Sequence, residues 1–250
     1  MEEILAQIGE FSPLLLVGLG LSIGLEHAFE PDHVAAVSTQ VSRGRIAQKS
    51  TTNILKTNAV KSAMLGALWG AGHTTTLVLM GLLVYTLAVK IEQQVFSGLE
   101  LGVGLMLVFL AITTILNKKL IIPRHKHPHQ HKDGTIHYDA HIHDDTDHTH
   151  NHKSYLIGCM HGLAGSGGLV VLTAATLNNV GAVLGFILVF GIGSVLGMAL
   201  ISGLLGLPFA LSTKIPTINQ IFRYVTGGFS LLIGANIVYE IGFVDNLFGL

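Results

Sequence analysis

Long apolar runs separated by short polar breaks set the plan of this chain. Pro13 to Leu25 is one such run, Ser62 to Val89 has no Asp, Glu, Lys or Arg, and Ser154 to Thr213 is uncharged throughout. A membrane span needs about 20 mainly apolar residues. The pattern predicts six spans, near 12–40, within 62–89, and near 98–122, 155–177, 180–206 and 220–243. Asn178-Asn179 is the natural turn that divides the uncharged stretch. The expected fold class is therefore an all-α integral membrane protein of six transmembrane helices.

Six spans divide into three and three, and an odd number per half forces the halves into opposite orientations. Shifted by 134 residues, Ile23, Gly24, His27, Val37 and Thr39 meet Ile157, Gly158, His161, Val171 and Thr173. Shifted by 121, Gly70 and Gly72 meet Gly191 and Gly193. The expectation is a 3+3 inverted repeat, a common transporter plan with its site between the halves. Its parts are a first half over 1–122, a linker over 123–153 and a second half over 154–250.

Charge fixes the expected orientation. Of the 14 Lys and Arg, only Lys90 stands apart. The other thirteen fall in 43–61, in 118–153 and at Lys214 and Arg223, which the alternation of spans puts on one face. Basic loops mark the cytoplasmic side, so both termini are expected outside and the 123–153 loop inside, in a plasma-membrane protein. Met1-Glu2-Glu3 lacks the basic region of a signal peptide, so the first segment is expected to be retained.

Composition agrees with that class. Only 12% of residues are charged, about half the level of roughly a quarter usual in soluble domains. A formal net charge of -1 makes no case for nucleic acid, and a single cysteine excludes an intramolecular disulfide framework. The expected surroundings are the lipid bilayer.

One stretch departs from the apolar pattern. Glu26, His27, Glu30, Asp32 and His33 crowd the end of the first run, with Pro31 among them. With His27 at 0° on an ideal helix, Glu30 falls at about 300°, Asp32 at about 140° and His33 at about 240°. An unbroken helix cannot gather His27, Asp32 and His33. Pro31 lacks an N–H and clashes with the carbonyl of His27, so the first helix is expected to break near Pro31, free backbone carbonyls and let the ligands converge. Imidazole with carboxylate suits a divalent first-row metal better than sodium or potassium. The bland alternative puts 26–33 at a hydrated cytoplasmic end, but apolar Val34 to Val37 follow before Arg43.

Two further histidines stand inside apolar runs, His73 in Gly-Ala-Gly-His-Thr-Thr-Thr and His161 in a glycine-dense stretch. Each alone reads equally as packing or as ligand; with His27 and His33 they favour one shared site. The Thr74 to Thr76 hydroxyls are candidate partners for the His73 ring. Cys159 reads as packing. The candidate metal residues are His27, Asp32, His33, His73 and His161.

The 125–152 segment holds ten of the fourteen histidines, interleaved with aspartates. Its composition suggests metal binding. With no apolar content to bury, it is expected to be disordered without metal and to buffer or sense metal in the cytoplasm.

His27-Ala28-Phe29-Glu30-Pro31-Asp32-His33 resembles the His-x4-Asp-His signature of the nickel/cobalt transporter superfamily. Gly72-His73-Thr74-Thr75 resembles that family's second motif, and His161-Gly162-Leu163-Ala164-Gly165-Ser166 resembles its UreH-like branch. The resemblance implies transport of nickel(II) or cobalt(II), with His27, Asp32, His33 and His73 handling the metal. Asp32 favours uptake, since efflux members typically carry Gly there, whereas the His-rich loop is more like the efflux branch. Zinc(II) is a third candidate substrate, no resident cofactor is expected, and a metallochaperone or a second copy of the chain are the candidate protein partners. No Walker-type nucleotide loop occurs. An intramembrane metalloenzyme is the alternative from another class, but no His-Glu-x-x-His motif occurs.

Overall fold

The computed structural model describes residues 13–43, 51–87, 93–116, 129–130, 136–137, 149–164, 180–212, 215–245 and 247. Among them the chain is helical: α1 (Pro13–His27), α2 (Pro31–Arg43), α3 (Thr51–Leu87), α4 (Gln93–Ile115), α5 (Thr149–Ala164), α6 (Val180–Ser212) and α7 (Pro216–Tyr239). A π-turn, Glu240–Val244, continues α7. Strands β1 (His129–Gln130) and β2 (Ile136–His137) form one short antiparallel pair.

The first apolar segment is broken where Pro31 demands it. α1 ends at His27 and α2 starts with Pro31 as its first residue, a position where the missing N–H costs nothing. The expected liberation of carbonyls does not occur at the first two positions of the break. Phe29 N donates to Glu26 O at 2.9 Å and Glu30 N donates to His27 O at 3.1 Å. Tighter i→i+3 bonds thus replace the α-helical ones that Pro31 interrupts.

Helix lengths exceed what hydropathy marks. α3 has 37 residues, about 55 Å at about 1.5 Å per residue, against about 30 Å of hydrocarbon. It begins eleven residues before the uncharged run and takes Lys56 and Lys61 into its first turns. α5 begins at Thr149, inside the expected linker, and the rest of the fourth expected span, with Asn178-Asn179, lies outside the described residues. The remainder of the histidine segment, 125–128, 131–135 and 138–148, also lies outside them, as do the N-terminus and Lys90.

Among the described residues, three helices are long and apolar enough to cross a membrane: Gln94–Ile115, Gly181–Ser212 and Pro216–Val244. Their outward faces fit that setting. On α6, Leu188, Ile192, Leu196, Leu200 and Leu204 recur every fourth residue and are all exposed. A continuous apolar stripe of this kind is rare on a soluble monomer. Hydrocarbon, unlike water, imposes no cost on it.

Helix packing depends on glycine at close crossings, where α3 and α6 form the central pair. A Cβ on Gly24 of α1 would run into the Phe190 carbonyl of α6, and one on Gly158 of α5 would run into the Trp69 carbonyl of α3. Gly193 of α6 meets the Leu21 carbonyl of α1, and Gly72 of α3 meets the Tyr155 carbonyl of α5. These contacts come in pairs under the two sequence offsets. Gly24 and Leu21 shifted by 134 give Gly158 and Tyr155; Trp69 and Gly72 shifted by 121 give Phe190 and Gly193. The crossing of α4 and α7 is reciprocal too, with Gly104 against Gly234 O at 3.1 Å and Gly234 against Gly104 O at 2.8 Å.

α2 is the most enclosed short helix. His33, Ala35, Ala36, Val37, Ser38, Thr39 and Val41 are all buried, packed chiefly against α7, α6 and α4. Trp69, Leu107 and Met198, each 0% exposed, complete the core around it. The break between α1 and α2 therefore buries His27, Ala28 and His33 and leaves Phe29, Glu30 and Pro31 exposed.

Candidate metal centre

Four elements supply the centre. The α1 end gives His27, the α2 start gives Asp32 and His33, α3 gives His73 and α5 gives His161. His27, His33, His73 and His161 are between 0% and 4% exposed. Gly162 fits against the backbone of His73, so the glycine after His161 is what lets α5 approach α3 at this level. All five residues singled out in the sequence thus meet in one cluster.

The cluster contains two groups with metal-ligand chemistry. One ring nitrogen each from His27, His33 and His73 lies within 4.8 Å of the others, and so do ligand atoms of Asp32, His33 and His161. His33 belongs to both. Within the first group, His27 Nε2 and His73 Nε2 are 3.3 Å apart. Within the second, Asp32 Oδ1 accepts from His33 Nδ1 at 2.9 Å and Asp32 Oδ2 accepts from His161 Nε2 at 2.9 Å. Asp32 Oδ1 also accepts from the His33 backbone N–H at 2.9 Å.

Carboxylates fix the tautomers. An ionised carboxylate only accepts, so a ring nitrogen that faces it carries the proton. His33 and His161 then keep their protons on Nδ1 and Nε2. Their other nitrogens, His33 Nε2 and His161 Nδ1, are buried and have no hydrogen-bond partner among the described residues. Such bare, water-excluded lone pairs are costly unless something accepts electron density from them. His27 follows the same rule, because Glu30 Oε1 stands 2.7 Å from its Nδ1 and leaves Nε2 facing His73.

Glu30 was not among the expected site residues. It is half-exposed, yet reaches His27 at 2.7 Å and His33 at 3.9 Å. On an ideal helix it lies about 60° from both His27 and His33, and in the turn at 27–31 it meets His27 more closely. Two aromatic rings also join the centre without any signal in the sequence. Trp69 packs edge-on to His33 and His161, at 5.3 Å and 5.2 Å between centroids, and Phe190 lies 5.2 Å from His27. Cys159 belongs to neither ligand group; its carbonyl accepts from Thr76 Oγ1 at 3.1 Å. The threonines beside His73 bond backbone carbonyls, Thr74 to Gly191 and Thr75 to Ala71, and so serve the helix packing.

Fold and centre together define a class: an all-helical protein of apolar, membrane-length helices with a buried cluster of imidazoles and a carboxylate at a helix break. Sequence comparison gives the family. The chain is 36% identical over 241 residues to the urease accessory protein UreH of Bacillus sp. (strain TB-90), covering 95% of this chain and 96% of that one. This chain belongs to the UreH family. It is also 27% identical over 243 residues to the chloroplast protein FOR GROWTH AND FERTILITY 1 of Arabidopsis thaliana, of which it spans 57%. No family model and no solved structure matches it.

Proposed function

We propose that this protein carries nickel(II) or cobalt(II) across a membrane in the uptake direction. His27, Asp32, His33, His73 and His161 receive the ion in place of part of its hydration shell. The observation that carries this reading is the buried cluster itself, three imidazoles with ligand atoms within 4.8 Å of one another beside a carboxylate joined to one of them and to a fourth, His161. Enclosed polar groups at a helix break are what a transporter needs at membrane depth and what a purely structural helix avoids.

The reading includes six spans arranged as a 3+3 inverted repeat, with the termini outside and the histidine segment in the cytoplasm. The paired glycine contacts at offsets of 134 and 121 support it, and so does the position of the cluster between the halves. The same offset of 134 relates His27 to His161. The membrane potential would drive a cation inward by about 2.3 kcal/mol per charge per 100 mV, and by twice that for a dication. The relative's name points to service to urease, and supply of the metal is the form that service takes here. A cytoplasmic metallochaperone is the proposed recipient.

Radioactive nickel(II) and cobalt(II) accumulation by cells that express the protein tests this. Wild type should accumulate metal above the vector control, and Asp32→Asn and His27→Ala should not, with equal protein in the membrane. Accumulation below control would mean efflux, which the His-rich loop favours. Normal accumulation by both variants would overturn the site.

A further inference from the structure

The two ligand groups share His33 and no other residue. We propose that they are two successive stations for the same dication, with His33 as the ligand common to both. This rests on the transport reading above. The first station is His27, His33 and His73; the second is Asp32, His33 and His161.

Hydrogen bonding separates them. With Nδ1 of His33 held by Asp32, the nitrogen it has available for the first station is Nε2, which is buried and without a partner among the described residues. His27 likewise presents Nε2, because Glu30 holds its Nδ1. The first station is therefore three neutral imidazoles, each polarised or placed by its neighbours, with no carboxylate in direct contact. The second station places Asp32 between His33 Nδ1 and His161 Nε2, at 2.9 Å from each. There the ion takes the place of the two hydrogen-bonded protons.

The exchange balances in protons and charge, with a water left in the ion's hydration shell carrying each proton from one ring nitrogen to the other. As the ion leaves His33 Nε2 for Nδ1, the displaced Nδ1 proton passes to Nε2. The His161 proton moves from Nε2 to its bare Nδ1 in the same way. Every imidazole stays neutral and Asp32 stays anionic, so the second station holds the dication with one formal negative charge and the first with none. Movement from first to second is thus electrostatically downhill within the protein.

The placement of the stations matches the architecture. His27 closes α1 against α6, and His161 closes α5 against α3, under the offset that pairs Gly24 with Gly158. Each station is therefore completed by the corresponding histidine of a different half, while His33 lies between them at 4.3 Å and 4.4 Å from the two rings. The first station lies wholly in the first half, so a relative movement of the halves changes the distances of the second station alone, where His161 meets Asp32 and His33.

Cobalt(II) binding by the purified full-length protein tests the proposal, because its electronic spectrum reports ligand type. Wild type should bind one ion per cluster, since a neutral His33 offers one lone pair and cannot serve both stations at once; deletion of residues 125–147 removes seven of the ten loop histidines from the count. His27→Gln should keep binding, with the spectrum of the Asp32 station. His161→Gln should keep binding, with that of the three-imidazole station. His33→Gln should lose both, and all three variants should lose transport in vesicles. Two ions per cluster, or loss of binding in both His27→Gln and His161→Gln while the proteins stay monodisperse, would overturn it. Transport by wild type alongside either of those results would leave the transport reading standing and remove only the two stations. A wild type that neither binds nor transports cobalt(II) or nickel(II) would remove both.

Discussion

The Nε2 atoms of His27 and His73 stand 3.3 Å apart, buried at the junction of α1 and α3. Two nitrogens bound tetrahedrally to one first-row ion at about 2.0–2.1 Å are separated by about 3.3–3.4 Å. The pair already has the spacing of two ligands on a shared ion, so little rearrangement is needed to bind one. His73→Ala should remove metal accumulation in cells while leaving the protein in the membrane. Metal uptake at the wild-type rate would show that the His27–His73 approach is only packing.

Glu30 acts on the same pair from outside. It touches His27 Nδ1 at 2.7 Å and is half-exposed, so it can orient the ring and hold the tautomer without being enclosed. Outer-shell carboxylates of this kind are typically worth about 10–100-fold in metal affinity. Glu30→Ala should weaken cobalt(II) binding by that order with an unchanged helical circular-dichroism spectrum, and Glu30→Gln should recover part of it, since the amide oxygen still accepts from Nδ1–H. Affinity within twofold of wild type in Glu30→Ala would remove the tautomer argument.

The break at Pro31 was legible because proline removes a donor and a helical bond, a local fact that needs no tertiary knowledge. His73 and His161 were legible as imidazoles in runs with no formal charge. Glu30 was not, because an ideal-helix projection leaves it about 60° from both His27 and His33, and only the i→i+3 turn at Glu26–Glu30 decides which ring it meets. Trp69 and Phe190 carry no marker at all. Each looks like an ordinary apolar residue until α5 and α1 bring histidines onto it. Helix ends differ from the expected spans for a related reason: hydropathy marks only the uncharged stretch, while α3 continues past it into Lys61 and Lys56.

The reciprocal glycine crossings give a stability test of the repeat. At Gly72 and Gly193 an added Cβ meets a carbonyl of the neighbouring helix, which cannot swing aside as a side chain can. Gly72→Ala and Gly193→Ala should each destabilise by about 1–3 kcal/mol, and by similar amounts, since each removes the same kind of crossing. Gly98 and Gly102 on α4 have nothing within 4 Å of the added Cβ. Alanine there should be neutral or stabilise by about 0.5–1 kcal/mol. Thermal unfolding of the four variants in one detergent decides it. Equal stability of Gly72→Ala and Gly102→Ala would mean that the crossings are looser than the structure draws them.

The histidine segment can be separated from the centre by where α5 starts. That helix begins at Thr149, and its Ser154 Oγ lies 2.8 Å from both Leu65 O and Gln40 Oε1, which share its one proton, tying α5 to α3 and α2. A deletion carried to residue 152 cuts into the helix, whereas one ending at 147 spares it. Seven of the ten clustered histidines precede position 148, so the shorter deletion still removes most of the chelating capacity. Deletion of 125–147 should preserve uptake at low external nickel(II) and reduce the number of ions bound per protein at saturation. Loss of uptake in this variant, with Ser154 and His161 intact, would make the segment part of the path that the ion takes and not a cytoplasmic buffer beside it.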